Sequence, residues 1–382
     1  MLVIVEASDR ASAYRVFSVM NNRGLDLSVT DILKADIIGT IKSKKSQDQY
    51  NRMWEEIEES LGRDNFSDLF SHIRQIFKRR KQERALIDEL APYFNKTEKS
   101  YITPEVFMDE ILGPYSDHYF SIQNQELSFV DAENEHEVHK IIRSLHRINN
   151  DDWKPILIYL ISKYKADTEK FYEHIWRLER LAYYLLLTRR YASTRIARYS
   201  KVLDAIDADL DINDDSHPLN LLSEDDEDYY LLEALDGKIY QHTAACRPTL
   251  LRLDEERNSG SASYKYKVLT IEHVYPQTVN EGSYWTETFD DADDAKMWTH
   301  SLANLVLLNK KKNSRASNWG FDKKKKEYFK QGDTSPFALT TEVIGADEWT
   351  EDSLLERQRG ILESFREIWD IETEIDDLEA YS

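Results

Sequence analysis

Glycine and proline are scarce in this chain, 11 and 8 in 382 residues, together about 5 % against roughly 12 % in average proteins. With so few turn-makers and breakers, long helices are the expectation, and a sandwich, a barrel or a disordered chain is not. There is one cysteine, Cys246. That excludes an internal disulfide framework and a cysteine-rich zinc site, and it fits a reducing cytoplasm. Cys246 is expected to be buried filler rather than a nucleophile. No run of 18 apolar residues occurs, so no membrane span is expected. The opening MLVIVEASDR lacks a basic segment followed by a long apolar stretch, so no signal peptide is expected. Basic charge is also in deficit: 50 Lys and Arg face 71 Asp and Glu, a net charge of -21. Taken as a single sum, that argues against nucleic acid as a partner.

The charge is unevenly distributed. Between Asp204 and Asp236 there are thirteen acidic residues and no Lys or Arg. Between Asn309 and Lys330 there are nine basic residues against Asp322 and Glu327. Two smaller basic clusters run from Arg74 to Arg84 and from Arg189 to Lys201. The net charge therefore does not exclude DNA; it confines DNA to one face, away from the acidic stretch. Phosphate-backbone contact is expected at Lys310, Lys311, Lys312, Arg315, Lys323, Lys324 and Lys325.

A short strand is expected at Leu2–Val5, then two helical patterns, the second capped by Ser28 with Asp31 three residues on. Residues 46–258 read as a helical array, with apolar residues such as Met53, Ile57 and Leu61 at helical spacing. The acidic stretch around His217-Pro218 and Ser223–Asp228 reads as surface loop. Asn258–Ser263 is the best linker. Beyond it the period changes. Tyr264–Val268 alternates like a strand and runs into Leu269–Gln277, and Asn304–Leu308 is its candidate antiparallel partner. Asn309 can cap a short helix to about Ala316, and Asp322 another through Lys330, with Gly332 past its end. Glu351–Asp370 carries Leu354, Leu355, Ile361, Leu362, Phe365, Ile368 and Trp369 on one face, so it should pack on a core.

Chemistry concentrates in Glu272-His273-x-x-Pro276, Asn304 and Asn313. Strand, loop, strand and short helix make a ββα unit. Phosphodiester hydrolysis needs a base for water and a cation at the leaving oxygen. His273 at the strand end can be that base. A carboxylate and an amide oxygen, Glu272 and Asn313, can hold Mg²⁺ (or Mn²⁺) with sites left open. Asn304 can tie the loop down and orient the base. Glu272 shares the site with His273 only if the strand breaks there, because strand neighbours point to opposite faces. His300 is expected to be structural.

These residues resemble the HNH, or His-Me finger, nucleases through IEHVYPQ (271–277), LANLVLL (302–308) and NSRASN (313–318), with Phe321 and Lys323 beyond. More narrowly, they look like the C-terminal nuclease domain of GmrSD-type, modification-dependent restriction enzymes. Ala303 stands where that family has glycine. Residues 13–39 are similar to the closing segment of the family's ParB-like N-terminal domain, whose DGQQR-type motif is not found here. The resemblance implies a mainly α chain with a small ββα-metal module. It divides into the tail of a ParB-like domain (1–45), a helical domain (46–258) and a nuclease domain with closing helix (264–382). It implies a metal-dependent DNA endonuclease or nickase acting against foreign or modified DNA. His273 would be the base, Asn304 the structural asparagine, and Asn313, with Glu272, metal-proximal. A nucleoside triphosphate is not expected to bind this fragment alone. A separate DGQQR-bearing chain and a homodimer are the protein partners it suggests. The alternatives are a degraded helical interaction subunit of a split system, or a non-specific RNase.

Overall fold

The computed structural model describes residues 28–130, 134–222, 225–258, 269–287, 292–309, 319–329 and 335–379. The strand expected at Leu2–Val5, the linker and strand at 258–268 beyond Asn258, the short helix after Asn309, and Gly332 lie outside the described residues. So do Lys310, Lys311, Lys312, Asn313 and Arg315.

The described chain is mainly helical, in two compact units. One comprises the residues up to Glu126 together with Lys154–Lys163; the other comprises Leu127–Trp153 and the chain from Tyr164 onwards. This partition differs from the three segments drawn on the sequence.

In the first unit, α1 (Val29–Ile38) starts as expected: Ser28 accepts from the Asp31 N–H, and Asp31 returns the bond to the Ser28 N–H. It is followed by α2 (Lys44–Leu61) and α3 (Arg63–Lys78). Trp54 of α2 packs edge-on against Phe66 of α3, with ring centroids 5.3 Å apart. The basic cluster at the end of α3 is partly interior. Arg74 is buried, paired with Glu89, and donates to the Arg80 and Lys81 carbonyls.

In the second unit, α4 (Glu135–Arg147), α5 (Thr168–Leu187), α6 (Ala192–Asp207), α7 (Glu227–Asp236) and α8 (Thr243–Arg257) form the helical body. Buried ion pairs bind α8 to its neighbours: Arg252 to Glu179 at 2.8 Å, and Glu255 to Arg143 and Arg147, each at 2.8 Å. Two residues of the basic cluster from Arg189 are also engaged in ion pairs, whereas Arg189, Arg190 and Lys201 are exposed. Arg195 pairs with Asp152, and Arg198 with Glu227. The acidic connection before α7 is less exposed than expected: His217 and Leu219 are buried, and Glu227 and Asp228 already belong to α7.

The two strands are β1 (Thr270–His273) and β2 (Leu305–Leu308), antiparallel, with Ile271 opposite Leu307 and His273 opposite Leu305. The outer edge of β2 is closed by Thr340 in α10 (Ala338–Gly345). Its hydroxyl accepts from the Leu307 N–H at 3.2 Å and donates to the Leu307 carbonyl at 2.7 Å. α9 (Ala292–Thr299) lies between the strands in sequence, and α11 (Glu351–Trp369) closes the domain. One face of the hairpin packs Val306 and Leu308 with Trp285, Phe321, Phe329, Val343 and Trp349. The closing helix buries its apolar face as expected, except that Leu355 is half exposed. The lysine-rich turn begins at Phe321 after Gly320, so Asp322 lies inside it and does not cap it. At Gly320 the Tyr284 ring packs close, and a Cβ there would meet it at 3.0 Å, so a larger residue would have to displace that exposed ring.

Candidate active site

β1 ends at His273, and the chain then turns. The Val274 N–H still bonds the Asn304 carbonyl at 2.9 Å. At Tyr275 the side chain of Asn304 replaces a backbone partner: its oxygen accepts from the Tyr275 N–H at 2.7 Å and its amide donates to the Tyr275 carbonyl at 2.9 Å. The amide also reaches the Thr299 carbonyl at 3.0 Å, and Trp349 donates to the oxygen at 3.3 Å. Asn304 is fully buried, and all of its hydrogen-bonding capacity is used, half of it on this turn. No other side chain of this length presents both an acceptor and a donor in peptide-like geometry.

The turn delivers His273 into a polar-aromatic niche. Gln277, four residues on, places its amide nitrogen 3.1 Å from His273 Nδ1. His300 Nδ1 lies 3.4 Å from His273 Nε2. The Tyr240 ring meets the His273 ring edge-on at 4.3 Å and stacks on His300 at 5.5 Å. The Tyr240 N–H bonds the His300 carbonyl at 3.1 Å. Both ring nitrogens of His273 thus have polar neighbours. Burial, helped by the charge of Lys238, pushes the His300 imidazole below its ordinary pKa. His300 therefore stays neutral beside His273 at pH 7.

Glu272 goes the other way. It pairs with Val306 in the register, and Val306 belongs to the packed face of the hairpin. His273 pairs with Leu305 on the opposite face. The strand is regular through both residues, so their side chains alternate across the sheet. The carboxylate of Glu272 accordingly does not converge with the His273 imidazole. Its charge acts on Lys324 instead, whose ammonium burial pushes down to about 7 against the upward pull of Glu272.

Lys324 and Lys325 also depart from the DNA-contact expectation. Lys324 is 1 % exposed, and its ammonium donates to the His273 and Val274 carbonyls at 3.1 and 2.7 Å. Lys325 donates to the Ala346 carbonyl at 2.5 Å and lies over the Phe321 ring. Lys323 is exposed, over the Trp319 ring. The sequence pattern pointed to Phe321 and Lys323. Helical spacing would have pointed to Phe321 and Lys324, because residues three apart share a face.

Among the described residues, no three His, Cys, Asp or Glu side chains converge to hold a metal. The neighbours of His273 offer mainly nitrogen and aromatic groups, whereas Mg²⁺ takes oxygen ligands. The described residues therefore do not make a Mg²⁺ site by themselves, and Asn313 lies outside them.

Sequence reasoning missed Tyr240, Arg357 and Gln358. Arg357 of α11 is half-buried and donates to the Ala303 and Leu339 carbonyls, and the buried Gln358 accepts from the Ala303 N–H at 3.0 Å. Together they hold the turn that presents Asn304. A basic and an amide side chain within an apolar helical face was the available signal.

No curated protein matches the chain. Residues 224–364 match the family model described as GmrSD restriction endonucleases, C-terminal domain, and every residue of the niche falls inside that span. The segment that carries His273, His300, Asn304 and Lys324 thus belongs to the C-terminal domain family of the GmrSD restriction endonucleases.

Proposed function

We propose that this chain hydrolyses DNA phosphodiester bonds as an HNH-type endonuclease or nickase, with His273 as general base, in defence against foreign or modified DNA. The observation that carries the reading is the buried imidazole of His273. It is delivered by a turn that Asn304 clamps and faces His300 and Gln277 rather than an apolar core. A base must be oriented and must keep a lone pair for water. Gln277 fixes the ring at Nδ1, and Nε2, whose 3.4 Å contact with His300 is long and gives way to water, takes the proton as the water oxygen attacks phosphorus. The bond to the 3′ oxygen then breaks, and that oxygen takes a proton.

A divalent cation, Mg²⁺ or Mn²⁺, belongs to the proposal on the resemblance alone, with Asn313 as the residue it implies. It would supply positive charge for the phosphate. The third element of the ββα unit, at 310–316, is proposed on the same ground. DNA contact is proposed for Lys310, Lys311, Lys312, Arg315 and Lys323, but not for the inward-facing Lys324 and Lys325. One such centre cuts one strand, so a double-strand break needs a homodimer or two nicks. A separate DGQQR-bearing chain is the proposed heterologous partner. No helix among the described residues is long and apolar enough to cross a membrane.

The test is a supercoiled-plasmid assay with Mg²⁺. Wild type is expected to convert plasmid to open circles. His273→Ala is expected to lose about 10²–10⁴-fold, the usual worth of a general base. Equal nicking by His273→Ala would overturn the mechanism.

A further inference from the structure

We infer that Lys324 is a positioning residue of the nuclease centre, setting the backbone turn that aims His273, and not one of the DNA-contacting lysines around it. The inference rests on the reading of His273 as the base.

In an extended strand, consecutive carbonyls point to opposite edges. One ammonium can reach the carbonyls of His273 and Val274 together only if the chain bends between them, and Lys324 Nζ does reach both. The bend has a direct consequence for the imidazole. Residues four apart in a strand lie more than 12 Å from each other by strand rise alone, roughly 3.3 Å per residue. Yet Gln277 meets His273 Nδ1 at 3.1 Å. That contact exists because the chain leaves the strand where Lys324 holds it.

The position of Lys324 is built rather than incidental. Its stem shares the helix face of Phe321, which is 1 % exposed, and its ammonium lies 5.5 Å from the Trp285 ring centroid. The negative charge of Glu272 favours the ammonium there. Lys323 and Lys326, its neighbours in the basic run, are exposed. An ammonium enclosed in this way cannot reach a phosphate without unfolding its own turn. Two lysines in one cluster therefore do different work: Lys323 can meet DNA, whereas Lys324 acts through the backbone of the base.

The test compares Lys324→Met, which keeps the stem and removes the donors, Lys324→Gln, which keeps a donor, and Lys323→Gln, in the full chain. For Lys324→Met, kcat for plasmid nicking is expected to fall at least ten-fold, with KM, DNA affinity and its salt dependence unchanged. Lys324→Gln should recover part of the rate. Lys323→Gln should weaken binding and reduce the salt slope by about 1, as for a phosphate contact. A change of salt slope in Lys324→Met, or an unchanged kcat, overturns the inference.

A second readout is independent of activity. The histidine Cε1 NMR signal lost in His273→Ala identifies His273, and it should move in Lys324→Met and less so in Lys324→Gln. If it stays in place in both folded variants, Lys324 does not position the ring. If His273→Ala nicks like wild type while that signal still moves, the base assignment fails and the positioning contact stands.

Discussion

His273 and His300 face each other across 3.4 Å, Nε2 to Nδ1, with His300 stacked on Tyr240. A neutral neighbour matters here, because a charged one would oppose the imidazolium that forms when His273 takes a proton. Burial keeps His300 below its ordinary pKa, and Lys238 adds to the effect. Lys238→Gln is therefore expected to raise the pKa of His300 without returning it to the ordinary value. A histidine NMR titration checks this; a fall or no movement contradicts it.

Asn304 is the second point of control. Asn304→Asp removes the two amide donations to Tyr275 and Thr299 and places a buried carboxylate against their carbonyls. Asn304→Ala leaves those carbonyls and the Tyr275 N–H unpaired. Unpaired buried groups cost about 1–3 kcal/mol each. At that rate a loss of at least about 3 kcal/mol is expected for Asn304→Ala in denaturant unfolding, and more for Asn304→Asp, with nicking lost in both.

In the first unit, Glu89 organises the basic loop after α3. Its carboxylate accepts from the Glu83 and Arg84 N–H groups at 2.8 and 2.9 Å and pairs with Arg74. Against the upward push of burial, these bonds hold the Glu89 carboxyl below its ordinary pKa. Glu89→Ala strands a buried guanidinium, which typically costs about 3–5 kcal/mol. The expected outcome is a large drop in thermal stability. Removal of a solvated salt bridge such as Lys44–Asp48 should cost under about 1 kcal/mol.

His174 predicts a pH dependence. Burial pushes its imidazole down to about 4 against the hydrogen bond to the Lys170 carbonyl. The unfolded chain then binds the proton first as pH falls. Stability is complete above about 6.5 and declines between about 6.5 and 4, by roughly 3 kcal/mol for this group. His217, packed against it with ring centroids 6.2 Å apart, shifts in the same direction. Chemical unfolding at pH 7 and pH 4.5 measures the decline. His174→Phe should make it shallower; an unchanged slope contradicts the assignment.

Several features were legible in the residues alone because they depend on local chemistry. The scarcity of glycine and proline left helices as the default, and helices make up most of the described chain. Ser28 and Asp31 form the capping box that their spacing announced, since a cap involves four consecutive residues and nothing distant. The hairpin of 270–273 with 305–308 followed from two short apolar runs. The apolar stripe of 351–369 followed from its period, apart from Leu355.

What only the tertiary structure decided is how charge and strand parity are used. A lysine run looks uniformly basic on paper, but helix geometry turned Lys324 inward, where carbonyls and Glu272 compensate its burial, and left Lys323 in solvent. Arg74, Arg195 and Arg198 likewise found carboxylates far away in sequence. Glu272 and His273 are adjacent in the chain, yet a regular strand sends neighbours to opposite faces, and nothing before the fold settles where the strand ends. Tyr240 reaches the His273 niche from the helical part of the chain, which no local motif encodes. Local propensity therefore determined the elements, and long-range packing determined which polar side chains share an interior.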